Sequence, residues 1–419
     1  MIRRLLLVLD SSGDGARSLL DLARWAATAH DVTITAVVLD ADDEARTLDG
    51  VTTVRRPTPT IGVVRATAEL TGRPGLARRA ARIWRRRVLA DAPTFDVVVA
   101  GSAEALMALD EMADPRPPVV AHLPLLDETW SGRPRPADLA RRLSSVALTV
   151  VPAEPVARWA TRDRAHGGLG LDPRRVRHHP GPVDPPSRHP RPGPDAAALV
   201  VGCGPVGWRA GTDLFAAVAG AVGAEVDGRT VHWTWIGDDD VDGTAADVRD
   251  DLDLRGLRHR VRITPDGPER ADRLAAADLL LVTGRVDPYP LPAVQAALAG
   301  TPVAGFTPGT ALLGEAGHDG RRVDRLDVDA LADQVRELLT HPDRGRLLAG
   351  DLARAAASAT TPLAAASLWA DIEDAVAAVT APAPGDPAPP VLVIRSDGRA
   401  SDLVAGAAAG DADRHEGER

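Results

Sequence analysis

The chain has almost no sulfhydryl chemistry: one cysteine, Cys203, in 419 residues. A single thiol excludes an intramolecular disulfide framework and suits a reducing compartment. Lysine is missing altogether, so the 49 basic residues are all arginine. They are outnumbered by 59 carboxylates, and the net charge of −10 argues against a general nucleic-acid binder. Aromatic residues are scarce, at 3% with a single tyrosine. No apolar run is long enough to cross a bilayer. The opening MIRRLLLVLD starts basic, but its apolar run is too short for a secretory leader and ends in Asp10. The expectation is a cytoplasmic protein.

What is present fits a soluble α/β protein. A hydrophobic content of 44% with 26% charged residues supplies a core, and the length suggests two domains with a tail. The first domain, residues 1–184, opens with an apolar strand at Arg4–Leu9, a loop holding Gly13 and Gly15, and a helix through Trp25. That order is the usual start of a doubly wound sheet. Further strands are expected at Val32–Leu39, Val51–Val54, Asp96–Ala100, Pro118–Leu123 and Leu148–Val151. Residues 185–195 are too rich in proline for regular structure and read as a linker. The second domain, 196–380, has strands at Ala197–Val201, Val231–Ile236, Val261–Thr264, Leu279–Val282 and Thr301–Phe306. Alternation in Val231–Ile236 puts Trp233 and Trp235 on one face, toward the core. Residues 381–419 change composition and read as a mostly disordered tail, with weak pairing at Val391–Ile394.

Two stretches of the second domain carry the chemistry. Leu279–Val282 is continuously apolar, as in a strand buried on both faces. It stops at Thr283-Gly284, a turn punctuated by Pro288, Pro290 and Pro292 follows, and a helix over Ala293–Ala299 is closed by Gly300. Arg285, Asp287 and Tyr289 therefore stand on the loop at the strand's carboxyl end, where open α/β sheets bind ligands. Upstream, Gly202-Cys203-Gly204-Pro205-Val206-Gly207-Trp208-Arg209-Ala210-Gly211-Thr212-Asp213-Leu214-Phe215 is a glycine loop feeding a helix. The first N–H groups of such a helix form an anion site, to which Arg209 would add a charge-assisted bond.

These stretches resemble the donor-binding signature of retaining GT-B glycosyltransferases, the large group containing family 4. The signature reads S-R-E-D-P-F-P-L, then E-A, then G-T-P-V. Here it stands as Gly284-Arg285-Val286-Asp287-Pro288-Tyr289-Pro290-Leu291, Gln295-Ala296 and Gly300-Thr301-Pro302-Val303. The glycine loop is similar to the family's G-C-G-x-x-x-W-R-K-G-x-D-L-F. The resemblance covers most of residues 4–378 and is denser in the second domain. Among its departures, Gln295 replaces the Glu that holds the donor ribose, Ala210 a Lys, and Pro205 a frequent Arg, while Thr264-Pro265-Asp266-Gly267 replaces F-x-G.

The resemblance implies two Rossmann-like doubly wound domains facing across a cleft. A nucleotide-sugar donor would bind the second and a glycan, lipid or small-molecule acceptor the first. Transfer would proceed with retention, without metal or other cofactor. Gly204, Gly211, Arg285, Tyr289, Pro290, Leu291 and Gln295 would hold the donor. Arg209 would neutralise the diphosphate, Asp287 would orient the sugar, and His122 would lie near the acceptor and the transferring sugar. Gly13 and Gly15 would line the cleft.

Plainer readings stand beside these. Gly13 and Gly15 also suit a tight turn alone, and His122 suits a structural imidazole at a strand end. His178 and His179 have no Cys or carboxylate at ligand spacing, which speaks against a metal site. A helix over residues 74–90 puts Arg78, Arg79, Arg82, Arg85 and Arg86 on one side, with Leu76, Ala80, Ile83 and Trp84 on the other. It reads first as a sheet-covering helix with a solvated face. The alternative is peripheral contact with an anionic membrane, as in some lipid-acceptor members of the family. The replaced positions also keep open a non-catalytic GT-B scaffold acting as a partner or regulatory subunit. An epimerase or phosphorylase on the same architecture is the third class.

Overall fold

The computed structural model describes residues 2–9, 14–39, 51–55, 74–90, 92–112, 114–124, 135–183, 196–237, 244–267, 269–285, 289–307, 322–323, 326–381, 392–394 and 400–402. Seven strands make the first sheet: β1 (Arg4–Leu9), β2 (Thr33–Val38), β3 (Thr53–Arg55), β4 (Val97–Ala100), β5 (Val119–His122), β6 (Leu148–Val151) and β7 (Val176–His178). Their order is 3-2-1-4-5-6-7, and every pair is parallel. The continuous apolar runs are explained by burial on both faces. Leu6, Val8, Val98 and Ala100 enter one cluster, and Leu5, Leu7, Leu9, Val97 and Val99 enter another. Successive side chains of one strand thus serve opposite layers.

The second sheet contains β8 (Ala198–Cys203), β9 (Glu225–Val226), β10 (Arg229–Ile236), β11 (Val261–Thr264), β12 (Leu279–Val282), β13 (Val303–Phe306) and β14 (Arg322–Val323). Its order is 11-10-8-12-13-14, with β9 added beside β10. All pairs but β9–β10 are parallel. Both sheets are doubly wound, as the residue pattern implies. Trp233 and Trp235 are core residues, 2% and 1% exposed, and Phe215 meets both rings edge-on. In each sheet the order reverses beside the first strand, between β1 and β4 and between β8 and β12.

The domain limits drawn from sequence need one correction. The helix Thr361–Thr380 was assigned to the second domain, but Ala365, Leu368, Trp369 and Ile372 are buried in a cluster of the first sheet. Their 3–4 spacing gives the helix one apolar stripe, which packs beside β1 and β2 residues. Trp369 stacks on His30 with ring centroids 5.4 Å apart, and Asp371 takes His179 at 2.6 Å. The chain re-crosses at Val183, whose N–H donates to the Ala359 carbonyl at 2.9 Å and whose carbonyl accepts from Thr361 at 3.0 Å. His178 is held by the Pro152 carbonyl. Residues 1–376 form one compact unit and 377–419 another. Within the latter, Leu392–Ile394 pairs antiparallel with Ala400–Asp402; most of the segment read as a disordered tail lies outside the described residues.

The arginine-rich helix spans Pro74–Val88 and departs from its expected division. Trp84 is buried, but Leu76 and Ile83 are 53% and 47% exposed. Arg82 and Arg86 do not simply face solvent, since each bonds Glu111 at 2.8 Å. Burial raises the Glu111 carboxyl, but the two guanidiniums together outweigh it and hold it below its ordinary range.

Candidate active site

The loops after β8 and β12 leave the two strands that flank the second sheet's reversal point, the usual ligand position in open α/β sheets. After β8, Gly204 adopts φ +144°, and its carbonyl accepts from the Trp235 indole N–H at 2.8 Å. The buried tryptophan thereby supports the loop from below. The loop ends at Gly211, φ +75°, where a Cβ would stand 2.0 Å from the Thr283 carbonyl oxygen. Both the left-handed conformation and this close approach demand glycine there. The Thr283 hydroxyl donates to the Gly211 carbonyl at 2.9 Å, and the Arg285 N–H donates to the Arg209 carbonyl at the same distance. The helix Thr212–Val222 starts directly after this stitching, with its N-terminus at the strand's carboxyl edge.

The structure therefore brings Gly204, Arg209, Gly211 and Arg285 onto two adjoining loops. Arg209 is half-buried. The Arg285 side chain is 12% exposed and forms a two-pronged pair with Asp213, Nη1 at 2.8 Å and Nη2 at 2.7 Å. It also donates to the Trp208 carbonyl and lies over the Trp208 ring, 4.7 Å from its centroid. Sequence reasoning missed Asp213. It stands 72 residues from its partner, and no spacing rule joins positions so far apart.

Beyond the turn, Pro290 precedes the helix Leu291–Ala299, which ends on Gly300 in the left-handed conformation as expected. Pro290 and Leu291 are buried, so their contribution is to packing and backbone placement. Gln295 lies on this helix, and its Oε1 is buried without a hydrogen-bond partner among the described residues. Such an acceptor is costly to leave unmet. Asp287 lies outside the described residues.

On the first sheet, His122 ends β5, the neighbour of β4 at that sheet's reversal point. It is 4% exposed. Burial lowers its pKa to about 4, partly opposed by a hydrogen bond to the backbone of Gly101. Nδ1 has no partner among the described residues. The imidazole is therefore neutral near pH 7. Gly15 falls in the first turn of the helix Asp14–Ala29, and Gly13 is outside the described residues.

Two contacts link the loops of the two sheets. Arg17, near the start of the helix after β1, pairs at 2.6 Å with Asp266, two residues past β11. Asp266 is held from its own side by Arg270 at 3.5 Å. Tyr289, on the loop after β12, packs against the core clusters of both sheets. The Thr264–Gly267 departure from the family pattern thus places a carboxylate where it bridges the two halves.

Residues 197–341 match the family of glycosyl transferases group 1. No curated protein matches the chain by sequence. Among solved structures, HepE of Anabaena, in complex with UDP and glucose, aligns with TM-score 0.67 at 15% identity, over 89% of this chain and 100% of that one. Sucrose-phosphate synthase from Thermosynechococcus elongatus gives 0.65 at 15% identity, over 90% and 100%. A glycosyltransferase from Rickettsia africae gives 0.59 at 11%, over 90% and 99%. The fold is GT-B, and the match to the group 1 glycosyl transferase family is confined to residues 197–341.

Proposed function

We propose that the protein is a glycosyltransferase that takes a sugar from a nucleotide-sugar and passes it to a glycan, lipid or small-molecule acceptor. The observation that carries this is the junction of the loops after β8 and β12, which sets Arg209 and a helix N-terminus beside the second sheet's reversal point. Developing charge on a departing diphosphate is stabilised there by the guanidinium and by first-turn N–H groups. HepE, solved with UDP and also with UDP-glucose, supports a diphosphate donor. The donor binds the second half, the acceptor lies toward His122, and Asp287 orients the sugar. Retention at the anomeric carbon and independence from metal belong to the same reading, on the resemblance to family 4. The phosphates have cationic and dipolar neutralisation without a metal.

Calorimetric titration with a panel of nucleotide-sugars and free nucleotides tests this reading, followed by NMR of the product anomer with and without chelator. Saturable binding and chelator-insensitive transfer are expected. Pro205, Ala210 and Gln295 favour the rival, a GT-B scaffold serving as a partner subunit. Absence of binding across the panel, with the fold intact, would select it.

Gln295 supplies a graded test. Its Oε1, without a partner among the described residues, suits a ribose hydroxyl, and the amide lacks the charge of the family's carboxylate. Gln295→Glu is expected to tighten nucleotide affinity about 5-fold, the gain of a charged over a neutral acceptor. Weaker binding would place the ribose elsewhere.

The helix Pro74–Val88 adds peripheral membrane contact to the proposal. Leu76 and Ile83 are exposed beside the exposed Arg79, Arg82, Arg86 and Arg87, a mixture suited to an anionic interface. Cosedimentation with phosphatidylglycerol vesicles is expected. It should fall roughly 10-fold in Ile83→Glu/Arg87→Glu through loss of apolar contact and charge. Equal sedimentation of the variant would leave this face as a solvated one.

A further inference from the structure

We propose that Arg285 is a positioning residue that locks the glycine loop, and that it does not bind the donor phosphates itself. This rests on the nucleotide-sugar reading. Its terminal nitrogens and one face of its guanidinium are engaged within the protein. Both terminal nitrogens pair with the Asp213 carboxylate, Nη1 also bonds the Trp208 carbonyl, and the plane of the group covers the Trp208 ring. A fork matched to a fork fixes angle as well as distance.

Three consequences follow from what these contacts join. Arg285 holds two successive carbonyls of the loop, Trp208 through its side chain and Arg209 through its main chain. The backbone that aims the Arg209 guanidinium is therefore tied to the end of β12. Asp213 sits in the first turn of the helix whose N-terminus forms the anion site. An unpaired carboxylate there would repel a diphosphate, and Arg285 cancels it. Trp208 is 53% exposed, an unfavourable place for so large an apolar ring. The stacked guanidinium and the bond from the Trp208 backbone N–H to Thr244 Oγ1, 2.8 Å, keep it there and pin the loop's outer turn.

The test compares Arg285→Ala, Arg285→Lys, Asp213→Asn and the Arg285→Ala/Asp213→Asn double variant. UDP, GDP and ADP are titrated by calorimetry against each. Hydrogen exchange of residues 204–213 is followed in the ligand-free proteins, with thermal midpoints taken alongside to set aside global unfolding. All three single variants are expected to lose about 10-fold in affinity for whichever nucleotide binds the parent, because lysine keeps the charge but not the fork. The double variant should be no weaker than the weaker single one, and loop exchange should rise about 10-fold in each, as expected for coupled members of one network. Parental affinity in Arg285→Lys, or tighter binding in Asp213→Asn, would make Arg285 a phosphate ligand and overturn the proposal. If the parent binds none of the three nucleotides, the nucleotide reading is what fails. Loop exchange still judges the lock, and unchanged protection of 204–213 in Arg285→Ala would overturn it.

Discussion

Arg209→Ala should abolish most donor turnover, lowering kcat/KM by roughly 100- to 1000-fold, the usual loss on removing one preorganised charge-stabilising group. The expectation comes from what surrounds it. Of the cationic positions in the glycine-loop motif, Pro205 and Ala210 leave only Arg209 filled. Arg285 is bound to Asp213 on both prongs, so its charge is largely spent locally. On the proposed reading, charge on the departing diphosphate would meet Arg209 and the N-terminus of the helix Thr212–Val222. Nucleotide affinity should weaken as well, by about 10- to 100-fold, since the ground-state diphosphate meets the same guanidinium. Arg209→Lys should recover part of the binding and less of the turnover, a point charge being a poor substitute for a planar fork. Asp287→Asn, at the position the proposal assigns to the sugar, should leave nucleotide affinity within about 3-fold, the scale of one lost polar contact. The comparison is made by calorimetry and steady-state transfer kinetics. Equal and negligible effects of Arg209→Ala and Asp287→Asn on nucleotide binding would remove the diphosphate from this loop.

The sheets were legible because parallel strands buried on both faces write themselves as unbroken apolar runs. Leu279–Val282 and the VVVA of Val97–Ala100 leave little else to read. The glycine loop was legible for a local reason too, since Gly204 and Gly211 adopt backbone conformations that side chains resist. What escaped was long-range. The Asp213–Arg285 pair and the Arg17–Asp266 bridge join residues 72 and 249 positions apart, and a single arginine in a chain with 49 of them announces no partner. The helix Thr361–Thr380 shows the same limit. Its apolar stripe at Ala365, Leu368, Trp369 and Ile372 says that it packs, but not that it returns to the first sheet. Leu76 and Ile83 failed differently: helical spacing assigns them a side, and only the neighbouring surface decides whether that side is covered.

His122 carries the second large effect, on stability against pH. Burial brings its pKa in the folded protein to about 4, while an unfolded histidine titrates near 6.5. Above the unfolded value both states hold a neutral ring and the contribution to stability is complete. Below it the unfolded chain takes up a proton that the folded chain refuses, so stability falls as pH drops from about 6.5 toward 4 and then levels off. The slope cannot exceed about 1.4 kcal/mol per pH unit, and the full loss is of order 3 kcal/mol. His122→Gln keeps a polar side chain at the end of β5 without a titrating group. Urea unfolding of parent and variant at successive pH values should give curves that run parallel above pH 7 and diverge below it, the parent losing more. Superimposable pH profiles would show that the imidazole protonates in place. The same neutral ring bears on catalysis. Burial outweighs the Gly101 backbone bond that favours the protonated ring, and Nδ1 is enclosed without a partner among the described residues. Transfer rates should accordingly show no acidic limb near 6.5 from this residue. Such a limb surviving in His122→Gln would have to be assigned to another group.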